Sequence, residues 1–197
     1  EGSFVYQINT HKGIRSSASS AYLSLQKKHK NLVVLTRAHV KKILFNGTKA
    51  VGVEYSYKGS RKVANASKEI ILSAGALASP QLLQVSGIGP AGSLKDLNIE
   101  VISDLPDVGF HLKDHIGLDH TLLTNPPSLN QLLRPLSGKI MVALQYLFTR
   151  GGPLSLSLNQ GGGFVKSDAN LKEPDLQLYF SPLSYTTAPL GKRPLMT

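Results

Sequence analysis

The chain has 197 residues, 41% hydrophobic and 17% charged, with 18 glycines and 11 prolines, a globular composition long enough for one large domain or two small ones. Lys and Arg number 22 against 12 Asp and Glu, a net charge of +10. Cysteine is absent, which excludes a disulfide framework, a thiolate metal site, a CxxC redox pair and a cysteine nucleophile. The chain starts at Glu1, and its only methionines are Met141 and Met196. The expectation is therefore a segment of a longer polypeptide.

Residues 16–30 read as a helix. Serines cluster at its start, and Ala21, Tyr22, Leu23 and Leu25 give it an apolar face. The cations Lys27, Lys28 and Lys30 fall at its C-terminal end, where they suit the helix dipole. The apolar run 32–35 reads as a short strand, and 40–45 as a second. Asn46-Gly47 is a hairpin signal, 50–57 alternates with Val51, Val53, Tyr55 and Tyr57 on one face, and 62–66 returns after a turn at 58–60. The stretch 32–66 thus predicts a small antiparallel meander.

The pattern then changes. Residues 69–73 predict a buried strand of the parallel kind, running into Ala74-Gly75-Ala76. Ser79 is placed as an N-cap with Pro80 opening a helix over 81–86, and Gly87 suits the left-handed position after it. A short helix over 91–97 and a strand over 99–103 follow. Asn125-Pro126-Pro127 marks a boundary. Residues 129–149 carry apolar residues at helical spacing, with Pro135 kinking or dividing the run. A glycine turn at 161–163 leads to Phe164, and 175–180 alternates as a strand.

Several motifs compete for a chemical reading. Gly87-Ile88-Gly89-Pro90-Ala91-Gly92 matches GxGxxG, but a helix rather than a strand precedes it and Pro90 removes an amide. It reads as a helix end followed by a tight turn. Ser73-Ala74-Gly75 has better context, because small residues at a strand end admit either close ligand approach or close helix packing. Asp114-His115 and Asp119-His120 lack metal-site spacing, so no metal is expected. The basic residues are scattered and not interleaved with aromatics, which argues against nucleic acid as a partner. No stretch reaches the roughly 20 apolar residues of a membrane helix. Asn46-Gly47-Thr48 and Asn65-Ala66-Ser67 match the glycosylation sequon, and the first is better read as a turn.

Taken together, 13–18, 32–45, 50–55 and above all 68–90 resemble the glucose–methanol–choline (GMC) flavoprotein oxidoreductases. The run Gly75-Ala76-Leu77-Ala78-Ser79-Pro80-Gln81-Leu82-Leu83-Gln84-Val85-Ser86-Gly87-Ile88-Gly89 matches that family's second signature. Residues 105–115 resemble the stretch that follows it, with Asp107 in place of the usual Gly and His111 in place of the usual Asn. Residues 154–185 resemble the start of the substrate domain more loosely.

The resemblance implies a mixed α/β fold. Part of a doubly wound FAD-binding domain with a small antiparallel meander would occupy 1–120, and an α+β substrate domain would begin in 121–197. It implies FAD as cofactor and an alcohol as substrate, with a hydride passing to the flavin. Val40 matches the residue whose backbone holds the adenine, and Ser73, Ala74 and Gly75 match the strand end that closes on the ADP half. The family's N-terminal GxGxxG and C-terminal catalytic His have no counterpart here, so no catalytic residue is assigned. Asn159 and Gln160 fall in the substrate-binding stretch. Gln160 stands where choline-oxidising relatives carry an acid, and a neutral amide cannot supply that charge. A truncated, non-catalytic homologue acting as a binding or structural module is the alternative reading.

Overall fold

The computed structural model describes residues 1–26, 29–123, 125, 127–184, 195 and 196. The elements are β1 (Gly2–Val5), β2 (Thr10–His11), β3 (Ile14–Arg15), a π-helical turn (Ser19–Leu23) running into α1 (Ser24–Gln26), β4 (Ala38–Asn46), β5 (Lys49–Tyr57) and β6 (Ser60–Asn65). Then come α2 (Ala78–Val85), β7 (Ile88–Gly89), α3 (Ala91–Asp96), β8 (Ser103–Asp104), β9 (Leu122–Leu123), α4 (Leu129–Leu133) and α5 (Leu136–Thr149). A 3-10 turn at Pro153–Ser155, β10 (Gly161–Val165), β11 (Leu176–Phe180) and β12 (Leu195–Met196) complete the chain.

The chain packs as two units, one of Glu1–Leu32 with Gly117–Thr197 and one of Val33–Ile116. The expected boundary at 120 lies close to the second junction. Residues 1–32 group with the C-terminal part because β1 pairs antiparallel with β10.

In the second unit the meander forms as expected, in the order β4-β5-β6. Its strands are joined by two-residue turns at Gly47-Thr48 and Lys58-Gly59, and the β5-β6 ladder runs without a shift. Ile43 of β4 is buried against α2, and Leu94 of α3 is the other buried apolar side chain of this unit. β7 and β8 pair in parallel, only two residues each.

Three strand expectations fail here. Residues 32–35 are irregular and exposed. Residues 69–73 form no strand and Ile71 is 79% exposed, because a parallel strand exists only when hydrogen-bonded to a neighbour and the described residues supply none beside it. The strand expected over 99–103 shrinks to Ser103–Asp104, since its parallel partner β7 is itself only two residues long.

In the first unit β10 is the centre of an antiparallel sheet in the order β1-β10-β11. Gly161, Gly162 and Gly163, expected as a turn, are strand residues. Their missing side chains let the neighbouring strands and Tyr6 close over them. The helix expected over 129–149 is divided by Pro135 into α4 and α5, and Val142 is buried on α5. Arg150 closes α5 in the left-handed conformation, its amide donating to the Tyr146 carbonyl at 2.9 Å. The helix expected over 16–30 is reduced to the two short segments over 19–26. Lys27, Lys28 and Pro126, which carried the cation run and the boundary signal, lie outside the described residues.

Candidate functional site

The residues singled out from the sequence fall in two places. Val40, Ser73, Ala74 and Gly75 belong to the second unit, Asn159 and Gln160 to the first.

Val40 sits on β4 opposite Tyr55 and is 38% exposed. β4 is the outer strand of its sheet, so one side of its backbone has no strand partner. Immediately after Val40 the register shifts, because Lys42 pairs with Glu54 and Lys41 is left as a bulge.

Ser73, Ala74 and Gly75 form an exposed loop that leads to α2. Ser79 folds this loop. Its Oγ accepts the Ala74 amide at 3.1 Å, and its own amide donates to the Gly75 carbonyl at 2.9 Å. Ser79 is therefore not an N-cap. It lies inside the first turn of α2, behind Leu77, and its hydroxyl serves the preceding loop. Gly75 has φ +93°, and a Cβ placed there would meet nothing within 4 Å. A pinned loop with small side chains and open space beside its backbone admits close approach by a ligand.

α2 ties loop and strand together. At its far end the Ser86 hydroxyl accepts the Ile43 amide of β4 at 2.9 Å and donates to the Leu82 carbonyl at 2.6 Å. Gly87, with φ +92°, then turns the chain away, as the sequence led one to expect. Gln84 donates from Nε2 to the Val108 carbonyl at 2.8 Å and holds the 105–109 loop on α2. The two departures from the family pattern meet in that loop, where His111 Nε2 lies 3.2 Å from Asp107 Oδ1. His111 has φ +57°, a conformation that Asn adopts readily, in keeping with Asn as the usual residue there.

In the first unit Gln160 continues the β10 ladder. Its carbonyl accepts the Tyr6 amide at 3.0 Å and its amide donates to the Phe180 carbonyl at 3.1 Å. Strand alternation assigns Gln160, Gly162 and Phe164 to one face and Asn159 to the other. Aromatic rings cover the Gln160 face. Phe4 meets Tyr6 edge-on at 5.1 Å and Phe164 at 5.4 Å, while Tyr6 stacks on Tyr179 at 5.7 Å. The Tyr6 hydroxyl donates to the Leu178 carbonyl at 3.0 Å, which fixes the ring. The sequence reading missed this aromatic face. Its signal was Phe4 and Tyr6 two apart, but the pairing of residues 2–5 with 161–164 is not visible in local pattern.

The GMC oxidoreductase family model matches residues 1–117. The oxygen-dependent choline dehydrogenase of Staphylococcus saprophyticus is 42% identical over 189 residues, covering 93% of this chain and 33% of the relative. The mitochondrial choline dehydrogenase of Homo sapiens is 40% identical over 183 residues, covering 92% of this chain and 31% of the relative. A crystal structure of formate oxidase superposes with a TM-score of 0.83 at 25% identity, covering 94% of this chain and 37% of that one.

The chain belongs to the GMC oxidoreductase family, whose cofactor is FAD. It spans about a third of the length of the curated relatives it matches. No helix of the described residues is long and apolar enough to cross a membrane.

Proposed function

We propose that this chain is the part of an FAD-dependent alcohol oxidoreductase that grips the ADP half of the cofactor and opens the substrate-binding region. The Val40 backbone and the 73–75 loop hold the adenine side, within a cofactor part that extends through 120. Residues 121–197 begin the substrate part, to which β1 is joined through β10. Bound FAD supplies the chemistry, accepting a hydride from the carbinol carbon of a CH–OH group. This chain contributes binding and orientation, and the group that takes the hydroxyl proton is not assigned to it.

The observation that carries this reading is the run 73–89. There an exposed loop of small residues is pinned to a helix whose other end is hydrogen-bonded to the strand that carries Val40. For the substrate, Gln160 offers an amide but no negative charge to pair with a quaternary ammonium, and on that ground a neutral alcohol is favoured over choline.

By itself the chain is inactive. Ile43, Leu94 and Val142 are the buried hydrophobic side chains among the described residues, while Leu25, Ile71, Leu118 and Phe148 are among the many left exposed. So small a core does not offset the ordering entropy of a cofactor site. The test is to purify the complete enzyme and the isolated chain and to record flavin absorbance and alcohol turnover. A complete enzyme with stoichiometric flavin and a colourless isolated chain are expected. A flavin-free complete protein would sink the cofactor reading, and a yellow isolated chain would sink the claim of inactivity.

A further inference from the structure

We propose that Ser86 is a positioning residue for the adenine half of the cofactor, acting through the register of β4; the proposal rests on the reading of Val40 above. Ser86 is 1% exposed, at the C-terminal end of α2. Its hydroxyl is used twice, as acceptor for the Ile43 amide and as donor to the Leu82 carbonyl. Ile43 is buried on the outer strand of its sheet, so its amide has neither a strand nor water to satisfy it on that side. A hydroxyl at position 86 is what remains.

The place of this bond gives it more than a stabilising role. Ile43 lies between two irregularities of the β4-β5 ladder, one between Val40 and Lys42 and one between Leu44 and Phe45. The bond from Ser86 anchors β4 between those two irregularities, where the ladder to β5 is interrupted on either side. Ser86 pins β4 from its other edge, three residues from Val40, and so sets where the Val40 backbone points.

The same helix holds the second adenine-side element. Ser79, in the first turn of α2, folds the 73–75 loop. Ser79 and Ser86 stand at opposite ends of one rigid rod, roughly 10 Å apart along the axis at 1.5 Å per residue. α2 is thus a bracket that fixes the spacing between Val40 and the loop. Alanine at 86 would orphan the buried amide, and threonine would add a methyl group where almost no space is exposed.

The test uses the complete enzyme with Ser86→Ala, with Ser86→Cys as a milder change of similar shape, and with Leu94→Ala as a buried control in the same unit. FAD affinity of the apoprotein, the thermal midpoint, and amide exchange of 38–46 with and without AMP are measured. Ser86→Ala is expected to raise the FAD dissociation constant by about tenfold, the scale of one buried hydrogen bond, and to speed exchange across 38–46. Ser86→Cys should move both in the same direction by less, and it carries the comparison if the alanine variant does not fold. Leu94→Ala should lower the thermal midpoint while leaving FAD affinity within about twofold, because its effect is global stability. A loss of FAD affinity in the Ser86 variants no larger than in Leu94→Ala at equal thermal stability overturns the proposal. AMP separates the two claims. If AMP does not protect 38–46 in the unaltered protein, the Val40 reading fails and the proposal falls with it. If AMP protects that segment equally in the unaltered and Ser86→Ala proteins, the role of Ser86 alone fails.

Discussion

Tyr6 and Gly162 occupy the same space on adjacent strands. A Cβ at Gly162 would stand 2.5 Å from the Tyr6 hydroxyl and closer still to the Leu178 carbonyl to which that hydroxyl donates. The glycine at the centre of the β1-β10-β11 sheet is therefore the counterpart of an anchored tyrosine. Gly162→Ala is expected to destabilise the complete enzyme by about 1–3 kcal/mol, the range for overpacking a tight contact. Tyr6→Phe removes the hydroxyl and leaves the Leu178 carbonyl and the ring edge, so the double variant should lose less than the sum of the single ones. Chemical denaturation of the three variants measures this, and strict additivity would refute the coupling.

The hexapeptide 87–92 offers a contrast within one motif. Gly87 has φ +92°, and a Cβ there would press on the Glu100 carbonyl and lie 2.7 Å from Ile102 Cγ1. Gly92 lies in α3 with nothing within 4 Å of a built Cβ. Gly87→Ala should therefore cost at least about 2 kcal/mol, from left-handed strain and steric overlap together. Gly92→Ala should be neutral or stabilise by up to about 1 kcal/mol through helix propensity. A dinucleotide-binding role for this hexapeptide predicts instead that both changes abolish flavin binding, which absorbance of the purified variants decides.

Asp175 provides a pH-dependent contact. Its carboxylate accepts the Ser167 amide at 2.8 Å and the Ser167 hydroxyl at 2.6 Å, closing the loop between β10 and β11. The hydroxyl bond, then the amide bond, hold its carboxyl below the ordinary value of 3.8. A depressed carboxyl contributes stability that is fully present above the ordinary value and is lost as pH falls through the lower folded one. The loop is thus expected to hold at neutral pH and to loosen only in acid below 3.8. NMR titration of the carboxyl should show Ser167→Ala moving Asp175 upward, and an unchanged titration would refute the account.

Gln160→Glu tests the substrate reading. A carboxylate at this position on the aromatic face adds a charge partner for a quaternary ammonium. The expected outcome is a 10- to 100-fold rise in kcat/KM for choline, corresponding to about 1.5–3 kcal/mol for a charged contact, with little change for neutral alcohols. If the unaltered complete enzyme already prefers choline to every neutral alcohol, the proposed preference is wrong.

Local chemistry made parts of the fold readable and left others hidden. The meander was legible because alternation and a turn dipeptide lie within a few residues of each other, and Pro135 and Gly87 announced the helix break and the helix end for equally local reasons. The strand expected over 69–73 was not realised, because its apolar pattern states a preference for burial that only neighbouring strands can satisfy. The three glycines at 161–163 read as a turn by composition, yet form the middle strand of a sheet because Tyr6 and Leu178, far away in the chain, close over them. Ser79 and Ser86 were both visible as signature residues. That one folds a loop and the other closes a strand edge depends on where α2 lies, which spacing alone does not specify.

The pairing of Val5 with Gly161 has a consequence for how the molecule is made. β1 is synthesised before its partner β10, which follows roughly 150 residues later, a delay of about 10–30 s at ordinary synthesis rates. β4, β5 and β6 pair with immediate neighbours and can close as soon as they emerge. During that interval Phe4, Val5 and Tyr6 are apolar residues of a strand without a sheet. Among the described strands β1 thus waits longest for its partner, and the stretch around it gains most from a chaperone during synthesis.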